Sequence, residues 1–551
     1  MFTRLLPHYR RGLTMMARCA VAVAPSTHQP FNSSTLVTTV ALFAFIVATI
    51  LGVSAATTSE KGPAPSSEWV PFDAKGHLLY KALPAGDRIM DFSFAGYQGG
   101  GVAFPVAPVK QTVKPCGGDD AAAIQDALNT VAKMSDAGGL RGAVLLAPGA
   151  FQCSRTLVLD ASGVVLRGSG SGADGTTLEM TGAPHVCISI RGAASTRQNG
   201  RPVAIADAYV PSGVSSFNIA DVSGFKVGDT VVIRRPVTSA WVSFMGMDKL
   251  VRNGKKETWV SGELRTERVI RSITGERVTL DMPLTDSLDA RYLNPPGASL
   301  VKWDVTGRIS QVGVESLRIA APPQSVEISE RHHQAIRAGG ATDIWIKDLE
   351  ITDTVNSVGI SASRATVENV RIRHTVATKG SAKPADFSAD GSQILFDRCS
   401  AVGTNLFYFV TGARVTGPVV LLNCAFSGGG WIQPHARWAT GLLVDNCRVP
   451  EGGIDFMNRG EMGSGHGWTI GWAVAWNCVA KEFTIQQPPG AANWAIGCQG
   501  ERRTAVMPFG HPPALPEGLF DSHGKPVAPA SLYLAQLRER LGEAALKQIS
   551  H

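Results

Sequence analysis

Short runs of β-branched and aliphatic residues recur along the second half of the chain, each followed by a polar residue, usually Asp or Asn, and then by a small apolar one. Four of them end in cysteine: ILFDRC at Cys399, VLLNC at Cys424, LVDNC at Cys447 and VAWNC at Cys478, spaced 25, 23 and 31 residues apart. The same frame runs backward without sulfur through VGVESL to Leu317, WIKDL to Leu349 and ATVENV to Val370, and forward to AIGC at Cys498. Periods of this length predict a solenoid or propeller, in which each unit buries its face only against the next copy. The unequal spacing favours a solenoid, because extra residues can leave a coil as loops without disturbing the stack.

The pattern changes along the chain. Residues 57–86 read as a linker that opens rich in Ser, Pro and Gly. Residues 87–201 read as an N-terminal cap and the first coils: Asp119 and Asp120 precede Ile124, Leu128 and Val131 at helical spacing, and the helix stops at Gly138-Gly139. GAVLLAPGAF, TLVLDASGVVLRGSGSG and HVCISIRG then alternate as short strands with Gly turns. Residues 202–296 interrupt the repeat with a small antiparallel β subdomain, whose irregular middle carries Trp241 and Phe244. Coils resume over 297–500, and 501–551 ends in an amphipathic helix from Ser531 to Ile549, with Leu532, Leu534, Leu537, Leu541 and Leu546 turned to the coil wall.

Length supports this division, since 551 residues exceed what one globular core usually holds. The 59 Gly and 32 Pro require many turns, and 44% hydrophobic against 18% charged residues excludes a disordered chain. The net charge of +7 falls to +3 once Arg4, Arg10, Arg11 and Arg18 of the acid-free N-terminal segment are set aside, which is no nucleic-acid footprint. Thr35 to Ala56 is uncharged and ends near the small-residue pattern Val53-Ser54-Ala55. Residues 1–56 therefore read as an export signal or a retained membrane anchor. Either places the remainder outside the cytoplasm: secreted, periplasmic or at the cell surface. Disulfides are permitted there. The repeated cysteines are expected to be free and stacked as small hydrophobes, with Cys116 and Cys153 as a separate pair.

IQDALNTVAK followed by GAVLLAPGAFQCSRTLVLDASGVVLRGSG resembles the N-terminal cap and first coils of the pectate-lyase-like superfamily. The resemblance covers roughly residues 87–500. It implies an all-β fold, a right-handed single-stranded parallel β-helix with an N-terminal capping helix, here carrying the inserted antiparallel subdomain. Interior ladders of identical residues, Cys and Asn among them, belong to that fold. Members include polysaccharide lyases, polygalacturonase-type hydrolases, epimerases and phage tailspikes, so the resemblance implies fold more than substrate.

If the Cys column marks one wall, the segments at equal offset after it mark another: HHQAIRAGG, SVGISASR, PADFSADGS, NLFYFVTG, WIQPHARW, GIDFMNRGEMGSGHGW and FTIQQPPG. Stacking makes residues distant in sequence neighbours one coil apart, about 4.8 Å. This wall concentrates polar and aromatic side chains. His435, Arg437, Arg459 and Glu461 are the catalytic candidates. His333, Arg337, Tyr408, Trp431, Gln433, Asn458, His466 and, from the insertion, Trp241 are the substrate-binding candidates. Pyranose faces stack on aromatic rings, and a uronate carboxylate suits the planar fork of Arg. Removing the proton next to that carboxylate needs a base, with positive charge to hold the developing enolate. His435 is the base candidate, with Arg437 on its face if the strand persists, although Pro434 suggests a turn.

These features predict a carbohydrate-active enzyme acting on an acidic polysaccharide, most directly by β-elimination. A hydrolase with paired carboxylates drawn from Asp386, Asp390 and Glu461 is the alternative, and a non-catalytic glycan-binding or adhesin solenoid the second alternative. HExxH, CxxC pairs, EF-hand loops and P-loops are all missing from the sequence, so no cofactor is required and no nucleotide or nucleic-acid partner is expected. Ca2+ stays open, since lyases of this superfamily use it. The expected state is a monomer, tethered to a membrane if the N-terminal segment is retained.

Overall fold

The computed structural model describes residues 64–504 and 515–551. The expected export segment or anchor, residues 1–56, lies outside the described residues. Among these, no helix is long and apolar enough to cross a membrane.

Parallel pairing builds three walls from successive coils. In the first wall one interior row runs Val144, Leu166, Val314, Ile346, Val367, Phe396, Leu421, Val444, Ala475, Ala495, each residue in register with the next. In the third wall the row is Ile188, Ile336, Val358, Phe387, Phe409, Ile432, Ile454, Phe483. A second wall between them carries Leu178, Ile319, Ile351, Ile372, Ala401 and Phe426. All these residues share one continuous buried core. Alternation puts the intervening side chains outside.

The repeated Asp or Asn is explained at the corner from first to second wall. Asp348, Asn369, Asn423, Asn446 and Asn477 hold φ between 50° and 57°, the left-handed conformation that Asn and Asp tolerate best. The following residue, Leu349, Val370 or a cysteine, then points inward. Each thiol reaches a carbonyl of the preceding coil: Cys399 to Val367 at 3.3 Å, Cys424 to Phe396 at 3.5 Å, Cys447 to Leu421 at 3.6 Å, Cys478 to Val444 at 3.1 Å. These cysteines are free, and burial pushes the thiols of Cys399, Cys447 and Cys478 far up. The expected Cys116–Cys153 pair does not form: Cys116 is exposed while Cys153 packs inside the first coils, and both are free.

The helix Ala121–Ala132 covers one end of the stack through Ala121, Ile124, Leu128 and Val131. Asp120 makes no side-chain cap of the usual kind; its carboxylate accepts the amides of Cys116 and Gln152, tying the helix start to a strand. The insertion is a six-stranded antiparallel sheet reaching from Ser195–Ala204 to Ser299–Thr306, wider than the expected 202–296. Its first strand is almost wholly exposed and lacks apolar alternation, which left it silent in the sequence.

A second core lies outside the first wall. Leu395, Val420, Leu443, Val474, Trp476 and Trp494 pack there against Phe92, residues of the insertion, and Leu532 and Leu537 of the C-terminal helix Leu532–Leu541. Asp445 fixes that helix by accepting Ser531 Oγ and Tyr533 N, both at 2.7 Å.

Candidate functional site

On the third wall the strand Trp431–Ile432 is short. His435 still joins the ladder through its amide to Thr411 O at 3.2 Å, but Arg437 and Trp438 both hold φ near +60°, turning the chain toward the first wall. His435 and Arg437 are therefore not alternate residues of one strand.

They meet through the next coil. Residues 458–468 leave the wall as a loop closed by a bridge between Asn458 and Trp468, by Arg459 N to Gly467 O at 2.8 Å and by Gly467 N to Gly460 O at 2.9 Å. The insertion holds its base: Trp259 Nε1 donates to Trp468 O at 3.1 Å, and Trp468 Nε1 to Met245 O at 3.2 Å. Gly467 is required there. Its φ is +56°, and a Cβ would stand 2.3 Å from Trp259 and 2.7 Å from Met247 Sδ.

The loop returns Arg459 and His466 to His435. Arg459, 5% exposed, donates from Nη1 to His435 O at 2.9 Å and makes a longer contact of 3.4 Å to His435 Nδ1. Its guanidinium lies 5.5 Å from the Phe407 ring centre. The His435 and His466 rings are 4.6 Å apart, and Arg437 Nη2 donates to Ser464 O and Oγ at 2.9 and 2.7 Å. Lys383 Nζ sits 4.1 Å above Trp431. Among the described residues Arg437, Arg459 and Lys383 enter no ion pair. Arg437 Nε, Arg459 Nε and His466 Nδ1 are buried without a partner.

Burial of this much positive charge sets the titration. His435 is lowered to about 4 by burial, then by Arg459 and Arg437. His466 falls to about 3 by burial, Arg459, His435 and Arg437, with Arg252 contributing. Burial lowers Arg459 to about 10, and burial and Arg459 lower Lys383. Both imidazoles are thus neutral at ordinary pH. Because Arg459 only donates, its contact to Nδ1 puts the His435 proton on Nε2 and leaves the lone pair on Nδ1.

Other candidates fall elsewhere. Gln433 faces the same side, donating to Asp455 Oδ2 at 2.6 Å, and burial raises Asp455 to about 6. Asn458 is buried and shapes the loop by accepting Gly460 N. Glu461 does not join the cation cluster. It lines a neighbouring, mainly apolar cavity of about 860 Å3 with Asn458, Trp468, Met245, Met247 and Leu250. Arg337 stands on the third wall four coil steps from Trp431, roughly 19 Å at 4.8 Å each, and is held by Gln334 Oε1 and Asn356 O. His333 is buried against His185, with ring centres 5.1 Å apart.

Two expected sugar platforms are not platforms on the third wall. Tyr408 is fully buried inside the coil, stacked on Phe426 at 4.9 Å, because a register shift between Phe407 and Phe409 turns it inward. Trp241 packs between Trp259 and Trp438, 3% exposed, away from the third wall strands. Sequence reading missed Lys383, Phe407 and Asp455. The register would have found them: Lys383 lies two residues before Ala385, which pairs with Phe407, which pairs with Trp431, and Asp455 follows Ile454, the partner of Ile432. Among the described residues no group of three or more His, Cys, Asp or Glu is arranged to hold a metal ion.

No protein-family model matches the chain. No curated protein matches it either. Among solved structures it is similar to the tailspike protein gp49 from Pseudomonas phage LKA1 (14% identity, 69% of this chain and 56% of that chain, TM-score 0.42). It is similar also to the Gp54 tailspike of Acinetobacter baumannii bacteriophage AP22, solved in complex with capsular saccharide (11%, 75% and 72%, TM-score 0.26). A third is DFA-IIIase from Arthrobacter chlorophenolicus A6, solved with DFA-III (11%, 79% and 87%, TM-score 0.30). The match spans little more than half the length of the first tailspike. The parallel stacking itself is established by the strand register.

Proposed function

We propose that this chain is a right-handed, single-stranded parallel β-helix whose third wall binds an acidic polysaccharide and cleaves it by β-elimination. One observation carries the reading: Arg459 and Arg437 converge on neutral His435, with Lys383 within the field of Arg459 above Trp431, and buried N–H groups are left without partners. A uronate carboxylate supplies the missing acceptors. It also supplies negative charge where the protein has gathered mainly positive charge, with Asp455 the carboxyl whose field reaches Arg459.

In this reading Arg459 and Arg437 take the carboxylate. Arg459 then relaxes its long contact to His435 Nδ1, and the bound anion offsets the field that weakens the imidazole, so the base strengthens as substrate docks. The C5–H bond breaks toward Nδ1, its electrons form the C4–C5 double bond, and the C4–O bond leaves with its pair, the departing oxygen taking a proton from water. Incubation with a panel of uronate polymers tests this, by the ultraviolet absorbance of unsaturated uronate ends. New reducing ends without that absorbance would replace elimination by hydrolysis; neither signal would leave binding alone.

Asp455 favours hydrolysis as the second reading. A buried carboxyl raised to about 6, with Oδ1 unpartnered, is suited to protonate a glycosidic oxygen.

A further inference from the structure

A second cavity, of about 330 Å3, lies where the insertion meets the coil stack. Its volume is at the lower end of small-molecule pockets, which span about 300–1,000 Å3. Arg235, Trp241, Phe244, Tyr292 and Trp438 are among its walls, with Asp286 at the base. Arg235 is 6% exposed. It pairs through Nε with Asp286 at 3.2 Å and lies 4.2 Å over Trp241, yet its Nη1 is buried with no partner. Asp286 is anchored by the indole N–H groups of Trp438 and Trp472 at 2.8 and 3.0 Å. Both Asp286 oxygens are thus satisfied, whereas Arg235, a residue of the cavity wall, keeps Nη1 buried without an acceptor.

Charge selects the ligand. Asp87, Asp286 and Asp289 outnumber Arg235 and Arg291 around this cavity, the reverse of the third wall, so an anion is disfavoured. A neutral polyol fits: its hydroxyls accept from Arg235 and donate to carboxylates, and its ring face meets Tyr292. Tyr292 is half-buried, stacked on Phe244 at 4.0 Å and otherwise covered by the exposed Arg291 guanidinium, 5.4 Å from its ring centre, which the sugar would displace. We propose that the cavity is a second saccharide site, taking one neutral pyranose unit. This rests on the carbohydrate reading above, though not on Arg459 or on catalysis.

The test titrates the full chain with methyl glycosides of glucose, galactose, mannose, rhamnose and N-acetylglucosamine, and with glucuronic and galacturonic acids, by tryptophan fluorescence and saturation-transfer NMR. At least one neutral glycoside is expected to bind saturably, with Kd on the order of 1 mM. Tyr292→Ala, at a half-buried position, should weaken it about tenfold or more, with circular dichroism showing that the fold is kept. Arg235→Lys should weaken it too, with circular dichroism reporting the fold, and Arg459→Gln should leave it unchanged. Binding of uronic acids alone, binding indifferent to Tyr292→Ala, or no neutral binding at all overturns the proposal. Loss of polymer cleavage in Arg459→Gln with neutral binding intact separates its fate from that of the third wall.

Discussion

The Asn–Cys corner and the 458–468 loop are built from successive coils of one stack, and they treat polar groups in opposite ways. At the corner the repeated groups mostly meet partners within the stack or its covering segment. The thiols of Cys399, Cys424, Cys447 and Cys478 each reach a carbonyl of the preceding coil, and Asn446 Nδ2 donates to Asn423 Oδ1 at 2.7 Å, although Asp397 and Asp445 each keep one oxygen unpartnered. At the loop the repeat lengthens and brings cationic side chains together with fewer acceptors than they have donors: Arg459 Nη1 finds His435 O and Arg437 Nη2 finds Ser464, but Arg437 Nε, Arg459 Nε and His466 Nδ1 stay alone. Regular stacking pairs the repeated donors and makes stability, and what it leaves over at the walls are single carboxylate or hydroxyl oxygens such as those of Asp397, Thr411 and Asp445. Breaking the stack once makes a place where an outside molecule must complete them.

The largest effect expected from breaking this contrast comes at Arg459. Arg459→Gln should lower kcat/KM on the cleaved polymer about 100- to 1,000-fold, the scale of losing one preorganised donor to a developing anion. Thermal unfolding should shift by only a few degrees. The His435 titration followed by NMR should move upward from about 4, since Arg459 is the largest charged contribution to its lowering. Wild-type kinetics in this variant would remove the loop from the site altogether.

Asn477→Ala should do the reverse, a large loss of stability with kinetics unchanged at saturating fold. Asn477 Nδ2 donates to Val527, Pro529 and Ala530 carbonyls at 2.8 to 3.2 Å, and Oδ1 accepts Val527 N at 2.8 Å, docking the C-terminal segment. It also sits at φ +50°. Several buried bonds plus left-handed strain in Ala add to about 3 kcal/mol, measurable by denaturant melts.

The corner and its ladder were legible in the sequence because they repeat. Asp or Asn before a small apolar residue marks the left-handed turn, and equal offset from Cys424 or Cys447 placed WIQPHARW and GIDFMNRG on one wall. What stayed hidden depends on departures from repetition. The shift that buries Tyr408 inserts one residue between Phe407 and Phe409 and leaves no compositional trace. Trp241 reads like a loop aromatic, and only the packing of the insertion on the stack buries it. Lys383 and Asp455 needed strand-by-strand register, which the offset rule supplies only to within a residue or two.

Cys424→Ser should cost about 1–2 kcal/mol and leave catalysis untouched, because the hydroxyl is shorter than the thiol and fits the carbonyl of Phe396 poorly in a packed interior. A thiol reagent on the native protein should label exposed Cys116 and spare Cys399, Cys424, Cys447, Cys478 and Cys498 until unfolding. Rapid labelling of the ladder in the native state would show that the corner is not the rigid side of the contrast.

The smallest effect expected is in the pH profile, where it discriminates most. A histidine base with an ordinary titration near 6.5 would lose about 30-fold in kcat/KM between high pH and pH 5. His435 is unprotonated until pH falls through about 4, because burial and Arg459 disfavour its charged form. The free enzyme should therefore vary less than about twofold from pH 5 to 8, with its acidic limb only near 4. In Arg459→Gln the residual activity should show that limb displaced upward, since one of the two charges holding it down is gone. Catalysis through protonated Asp455 has the opposite sign: activity would fall as pH rises through about 6, where that carboxyl loses its proton. A flat profile with a mobile acidic limb thus assigns the chemistry to the interrupted coil and its cations. An alkaline limb near 6 assigns it to Asp455, on a strand of the regular wall.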